Sequence, residues 1–542
     1  MDDPSRSNVI VIGAGIAGLA ATLRLVERGF QVTLLERNKW LGGKLGAHQA
    51  GGGGDFHEHS YHMYLNWYHN FWRITEEIGA RKHFEPRHSM GYLRRGGGDW
   101  APRLVRTTDV GAPETACQNL ISGLRSPADM FLYSYALIDL LGTPAWHYEA
   151  LDKMSVLSFL NSRHYLTRAA MSIQEDISLK AFASPNFLTA VQSFRKFISF
   201  GYCCPSPMMW LLRGNTQHCL FGPLEHHLHR LGSDGGGDGD GGGGRRLEVR
   251  PLHEVRRLCL TEAGAIERIE GVELAASPSP GAGPQPAVKG TFSLPVKGNV
   301  ILAVPPQSVA RLVDEAVFAQ APHLAAVRRM NSQPMISFDL YFKKPFALPN
   351  EVVGLLNSRF ALSFLDTSRL WRNDPNAATF INVVASDALP ISGYSPDMIR
   401  RLLIQELMEY LPFTTDDVDF ERCHLQTNTT EELFTNEVGS WGLRPATACG
   451  IPNLFLAGDY CRNPIDVVTI EGAVTSGLLA AEAVRARAGK GRPIEIIEPN
   501  VAPEWILAGL KLACLPSAHL AKAISTIEHW LLGSYRELFP KG

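Results

Sequence analysis

Asn8–Ile12 (NVIVI) is a short β-branched run that leads directly into Gly13-Ala14-Gly15-Ile16-Ala17-Gly18. LAATLRLVERG follows with apolar residues at helical spacing and stops at Gly29, and Gln31–Glu36 (QVTLLE) is a second strand closing on an acid. Few folds accept strand, glycine turn, helix and strand in so few residues. Gly13 makes the tight turn, Gly15 lets the backbone approach a pyrophosphate, and Gly18 lets helix pack on strand. The phosphates would sit on unpaired amide N–H groups at the positive end of the helix dipole. Glu36 is placed to accept hydrogen bonds from an adenosine ribose. The motif predicts a dinucleotide site, with the choice between a flavin and a nicotinamide still open.

The rest of the chain narrows the setting. At 542 residues it is long for one hydrophobic core, so interleaved domains are expected. A net charge of −2 gives no electrostatic reason for a nucleic-acid partner. The nine cysteines contain no C-x-x-C pair, which suits a reducing compartment. MDDPSRSNVIVIG lacks the basic n-region of a secretory signal. A cytoplasmic location is therefore expected, with peripheral membrane contact as an addition. The most apolar segments, Met130–Leu141 and Trp505–Cys514, are too short to span a bilayer and each carries a charge. Each is read either as buried helix or as a surface that dips into lipid.

Directly after Glu36 comes Arg37-Asn38-Lys39-Trp40-Leu41-Gly42-Gly43-Lys44, whose second glycine pair lies beside a cation. Near the far end, IPNLFLAGDY (Ile451–Tyr460) is an apolar strand ending in Gly458-Asp459, and Ile470-Glu471-Gly472-Ala473 opens a helix rich in small residues. This acid-R-x4-G-G-K arrangement with its distant GDY and EGA resembles the flavoprotein amine oxidase and carotenoid desaturase superfamily. The resemblance implies FAD as cofactor. It also implies a discontinuous α/β fold, in which a Rossmann-like FAD-binding domain (1–105, 230–310 and 450–490) is interleaved with an α+β substrate domain (106–229 and 311–449). Gly232–Gly244 reads as a flexible insertion, and two helical segments are expected in 497–542. Three long strands are expected within 333–385.

Within the superfamily the chain is most similar to plant- and cyanobacterial-type phytoene and ζ-carotene desaturases and to squalene-associated FAD enzymes. LGGKLGAH, EHSYHMYLNWYHN, LRGNTQHCLFGPLEHHLHRLG and LFLAGDYCRNPIDVVTIEGAVTSG carry that likeness. It implies FAD contacts from Ala17, Glu36, Arg37, Lys44, His62, Met63, Tyr68, Asp459 and Ile470, alongside Gly13, Gly15, Gly18, Gly42, Gly43, Gly458 and Glu471. Val255 is a candidate backbone contact to adenine. Val468, Tyr64 and Cys219 are candidate substrate-side residues. Ser60, Cys219 and Ile470 depart from the glycine, arginine and methionine usual at those places.

The stretch GDFHEHSYHMYLNWYHN (Gly54–Asn70) holds four histidines. In an extended chain, His57 and His59 share a face that excludes His62, leaving too few convergent ligands for zinc. No metal is expected, and neither do His226, His227 and His229 suggest one. The aromatics are read as an apolar wall of the flavin pocket. His62 is the candidate catalytic base for hydride and proton removal from an apolar, isoprenoid-like substrate, with a quinone or oxygen as electron acceptor. Redox-neutral isomerisation or reductive dehydroxylation of a squalene-like substrate, amine oxidation, and simple isoprenoid carriage are the other readings.

Overall fold

The computed structural model describes residues 7–538 apart from 50–55, 97–101, 110–111, 145–147, 183, 205, 234–245, 276–286, 373–377 and 429–431. Most of the glycine-rich insertion therefore lies outside the described residues. Its first two positions belong to the end of the helix Gly222–Ser233.

Asn8–Ile12 is the central strand of a five-stranded parallel sheet. Gln31–Leu35 and then Leu247–Arg250 lie on one side of it, with Asn299–Leu302 and Leu454–Leu456 on the other. All four residues of Asn299–Leu302 are buried, as a parallel strand covered on both faces requires. The helix Ile16–Glu27 packs on this sheet and crosses the helix Ile470–Ala488. At that crossing the two backbones touch. A Cβ at Gly477 would collide with the Ala17 carbonyl.

A seven-stranded sheet builds the neighbouring layer, in the order His424–Gln426, Ile336–Tyr341, Phe380–Ala385, Leu362–Asp366, Val352–Leu355, Ser89–Leu93, Arg103–Arg106. Two expectations are corrected here. Ser89–Leu93 pairs with Val352–Leu355, so the end of the first 105 residues belongs to this sheet, not to the cofactor sheet. The middle of the three long strands is a hairpin of two, Val352–Leu355 and Leu362–Asp366. Asn357 and Ala361, both at positive φ, turn the chain between them.

The helices Pro113–Leu120 and Arg168–Phe182 contact the strands Arg103–Arg106 and Val352–Leu355 at one end of this sheet. Pro127–Leu141 is largely buried, whereas the chain ends in one helix, Glu504–Leu538, which lies on it. Two C-terminal helices were expected, but the chain runs through Pro516 without a break. A proline removes one helical hydrogen bond and bends a helix, but it ends one only when nothing else holds the two arms in line. Among the described residues no helix is long and apolar enough to cross a membrane.

Candidate flavin site

The two glycine turns that sequence separates by some thirty residues lie against each other. Gly13 holds φ +99° with its N–H on the Leu35 carbonyl, at 2.8 Å. Gly42 holds φ +115°, donates to the Ala14 carbonyl at 2.8 Å, and forms a parallel bridge with Gly15. A Cβ on Gly18 would strike the Gly13 carbonyl, so the helix can start this close to the strand only with glycine there. A Cβ on Gly15, by contrast, would meet no atom within 4 Å. Gly13, Gly15 and Gly43 are the partly exposed or exposed members of this cradle.

Glu36 is buried under the cradle, where Oε2 accepts from the Ala14 N–H and Oε1 from the Asn38 N–H, each at 2.8 Å. Its carboxylate thus joins the strand end to the glycine turn. The partly buried Arg37 follows it. Val255 starts a β-bulge on His253–Leu260, and the His253 N–H bonds the Glu36 carbonyl, which brings this strand to the same end of the sheet.

From the other end of the chain, Gly458 (φ +152°) and Asp459 follow the edge strand Leu454–Leu456. Burial raises the Asp459 carboxyl above the usual carboxylate range, and the Lys44 and Arg444 cations oppose that rise. Lys44 donates to the Glu432 carbonyl at 2.6 Å. Val468, Thr469 and Ile470 are partly exposed at the start of the helix Ile470–Ala488, where Thr469 Oγ1 caps the Gly472 N–H at 3.1 Å.

Glu471 is corrected. It points away from the cradle and is fully buried. Oε1 accepts from the Asn70 N–H at 2.9 Å and its side-chain amide at 2.8 Å, and Oε2 accepts from the Phe71 N–H at 3.0 Å. Burial pushes its carboxyl up to about 8, against the pull of those donors. The helix His69–Glu77 has no acid in its own first turn, so Glu471 supplies the hydrogen-bond acceptor for its first N–H groups.

The histidine-rich stretch is a strand only over Phe56–Glu58 and a loop from there to Tyr64–Leu65. Tyr61, His62 and Met63 are partly exposed, while Tyr64, Trp67 and Tyr68 are buried behind them. Tyr64 stacks on Phe71 at 5.2 Å and meets Phe84 edge-on at 4.8 Å. Tyr68 meets Trp67 edge-on at 4.7 Å. Tyr64 therefore backs the wall instead of facing a substrate. Among the described residues no three His, Cys, Asp or Glu side chains are grouped to hold a metal.

Cys219 is likewise a packing residue in this structure. Its thiol lies over Gly214 and donates to the Arg213 carbonyl at 3.4 Å. The turn it belongs to, Gln217–Phe221, nevertheless reaches the site, because Phe221 packs on Gly42. The Thr216 N–H donates to Glu58 Oε1 at 2.8 Å, and Glu58 Oε2 is 4.0 Å from His62 Nδ1. Glu58 and His59 are the site residues the sequence reading left aside. Burial, with Lys44 and His62 nearby, holds the His59 imidazole well below its usual range, so it is neutral.

His59 Nε2, His62 Nδ1, Tyr64 Oη, Trp67 Nε1 and Thr216 Oγ1 are all buried without a hydrogen-bond partner. Buried polar atoms are nearly always paired, so such a group beside a double glycine cradle fits a large polar heterocycle bound there. Gly13, Gly15, Gly42 and Gly43 would hold the diphosphate. Lys44, Asp459 and the 470–488 helix start would hold the middle and ring end, and Tyr61 to Met63 would face the ring.

Comparison with known proteins agrees with this assignment. Residues 8–110 match the FAD dependent oxidoreductase family, and residues 295–485 match the flavin containing amine oxidoreductase family. The 15-cis-phytoene desaturase of Synechococcus elongatus is 23% identical over 512 residues, covering 90% of this chain and 98% of that protein. The carotenoid phi-ring synthase of Streptomyces griseus is 24% identical over 510 residues, covering 89% and 88%. Among solved structures, a putrescine oxidase variant superposes with a TM-score of 0.61 at 16% identity, covering 89% of this chain and 99% of that one. Cyclohexylamine oxidase from Brevibacterium oxydans gives 0.59 at 14%, with the same coverage. Cradle, cofactor and relatives converge: the chain is an FAD-dependent oxidoreductase of the flavin-containing amine oxidase superfamily.

Proposed function

We propose that this oxidoreductase desaturates an apolar, isoprenoid-like substrate. A hydride leaves one carbon, a proton leaves its neighbour, and the remaining electron pair becomes the new C=C bond. Bound FAD supplies the two-electron acceptor, and a quinone or oxygen then takes those electrons onward. The protein's part is to hold the chain extended and dry at the ring and to receive the proton.

The observation that carries the reading is His62. It stands partly exposed on a wall otherwise made of Tyr61, Met63 and the aromatic stack behind them, with Nδ1 unpaired and Glu58 Oε2 4.0 Å away. An imidazole so placed can take a proton, and the Glu58 carboxylate beside its buried Nδ1 stabilises the cation that forms. The aromatic rings of the wall offer a hydrocarbon contact area. The names of the relatives, phytoene and zeta-carotene desaturases, point the same way.

The test is anaerobic bleaching of the flavin band by C30 and C40 hydrocarbons in liposomes. Bleaching by a hydrocarbon is the expected result, and His62→Ala should keep its flavin while slowing that bleaching by ~10²–10⁴-fold. Full-rate bleaching by the variant removes His62 from the mechanism. Bleaching by primary amines alone would replace desaturation with amine oxidation, the activity named for the fold neighbours.

A further inference from the structure

The C-terminal helix Glu504–Leu538 is inside out. Several of its polar groups face the protein. Lys511 pairs with Asp139 at 2.7 Å, Ser525 donates to Asp129 at 2.6 Å, His529 lies 3.0 Å from the same carboxylate, and Lys522 bonds the His164 carbonyl. Ala518 and Ala521 are buried against Pro127–Leu141. Its large apolar side chains face out instead: Trp505 is 77% exposed, Leu512 70%, Leu520 64% and Trp530 68%.

At 100° per residue, these four together with Ile506, Leu510, Ile524, Ile527 and Leu531 occupy an arc of roughly 160°, with Leu515 and Leu532 exposed outside it. Their exposed surface is on the order of 1,000 Å², taking 150–250 Å² for a large side chain. That is about twice the largest apolar patch of an ordinary monomer.

We propose that this face docks the enzyme on a phospholipid bilayer, with the helix lying in the plane of the interface. A second copy of the chain is the other occupant of such an area, since a stable dimer needs ~800 Å² from each partner. Three features favour lipid. A partner helix covers a narrow seam, whereas a continuous medium covers a broad arc. Protein interfaces carry a polar rim with about ten hydrogen bonds, but the polar groups named above already bond inward. Charge also suits headgroups. Between Trp505 and Leu532 the single acid, Glu528, is half-buried, so the arc presents no fully exposed carboxylate to anionic headgroups. Trp505 and Trp530, ~37 Å apart along the helix, stand where amphipathic rings anchor interfacial helices.

The inference is independent of the substrate, because its test reads binding and not turnover. FAD-loaded full-length protein is floated with vesicles of three parts phosphatidylcholine to one part phosphatidylglycerol. The wild type is expected in the lipid layer. Trp505→Glu/Leu512→Glu/Leu520→Glu/Trp530→Glu is expected to remain below it, with roughly tenfold less floated and the flavin spectrum unchanged. Should that variant misfold, the wild type still decides, since lipids brominated in the acyl chains should quench its tryptophan fluorescence. Wild type that stays below and is unquenched overturns the proposal. If it also sediments as a dimer without lipid, the face lies between copies. If it sediments as a monomer, the face meets solvent alone.

Discussion

Gly42 shows how little room the cofactor cradle leaves. Besides φ +115°, a Cβ there would stand 2.6 Å from the Phe221 ring and 2.8 Å from the Gly46 Cα. Gly42→Ala is expected to cost ~2–4 kcal/mol and to yield protein nearly free of flavin, read from the ratio of flavin to protein absorbance. Full occupancy would show that the turn can move. A second residue-scale prediction concerns pH. The His424 ring lies 4.1 Å from that of His57, which is 2.7 Å from Asp339. Burial, with His57 adding to it, depresses His424 to about 4. A depressed histidine contributes stability that is present above its unfolded value near 6.5 and is lost as pH falls through the folded value. Up to ~3 kcal/mol should therefore disappear between about pH 6.5 and 4, and His424→Gln should flatten that slope in denaturant titrations. Gly13, Gly18 and Gly42 were legible because backbone geometry demands glycine at those spacings. Glu471 and Cys219 were not. Their position in the chain is right for the site, but which way a side chain turns depends on Asn70 and Arg213, partners distant in sequence or silent in pattern.

Elements follow the same division. Strands of the cofactor sheet announce themselves as short apolar runs, and Asn299–Leu302 and Leu454–Leu456 lie where such runs occur. The hairpin inside 352–366 was hidden because its turn holds Asn357 and Ala361 at positive φ, and alanine carries no turn signal. The unbroken helix through Pro516 was hidden for another reason. Its two arms are held in line by Asp139 and Asp129 on a helix nearly 400 residues earlier. At this scale the Glu471 clamp is the sharpest prediction. Glu471→Ala leaves the Asn70 and Phe71 N–H groups buried without an acceptor and should destabilise by ~2–4 kcal/mol, seen as a lower midpoint in denaturant. A neutral result would mean water reaches the start of that helix.

On the scale of the whole molecule, the cofactor sheet and the seven-stranded sheet alternate along the chain, so neither can unfold without pulling on the other. Saturation with FAD at about a hundredfold over Kd should add ~2.7 kcal/mol. It should raise a single thermal transition by a few degrees. Two transitions, only one of them moved by FAD, would show that the sheets melt separately. The contact of Ala17 with Gly477 has a consequence in time. During synthesis the first strand and helix emerge early, yet the last strand of their sheet begins at Leu454. At ordinary elongation rates that interval is roughly 20–90 s. For all of it the nascent chain holds an unfinished parallel sheet with bare apolar edges, a state that chaperones bind and proteases cut.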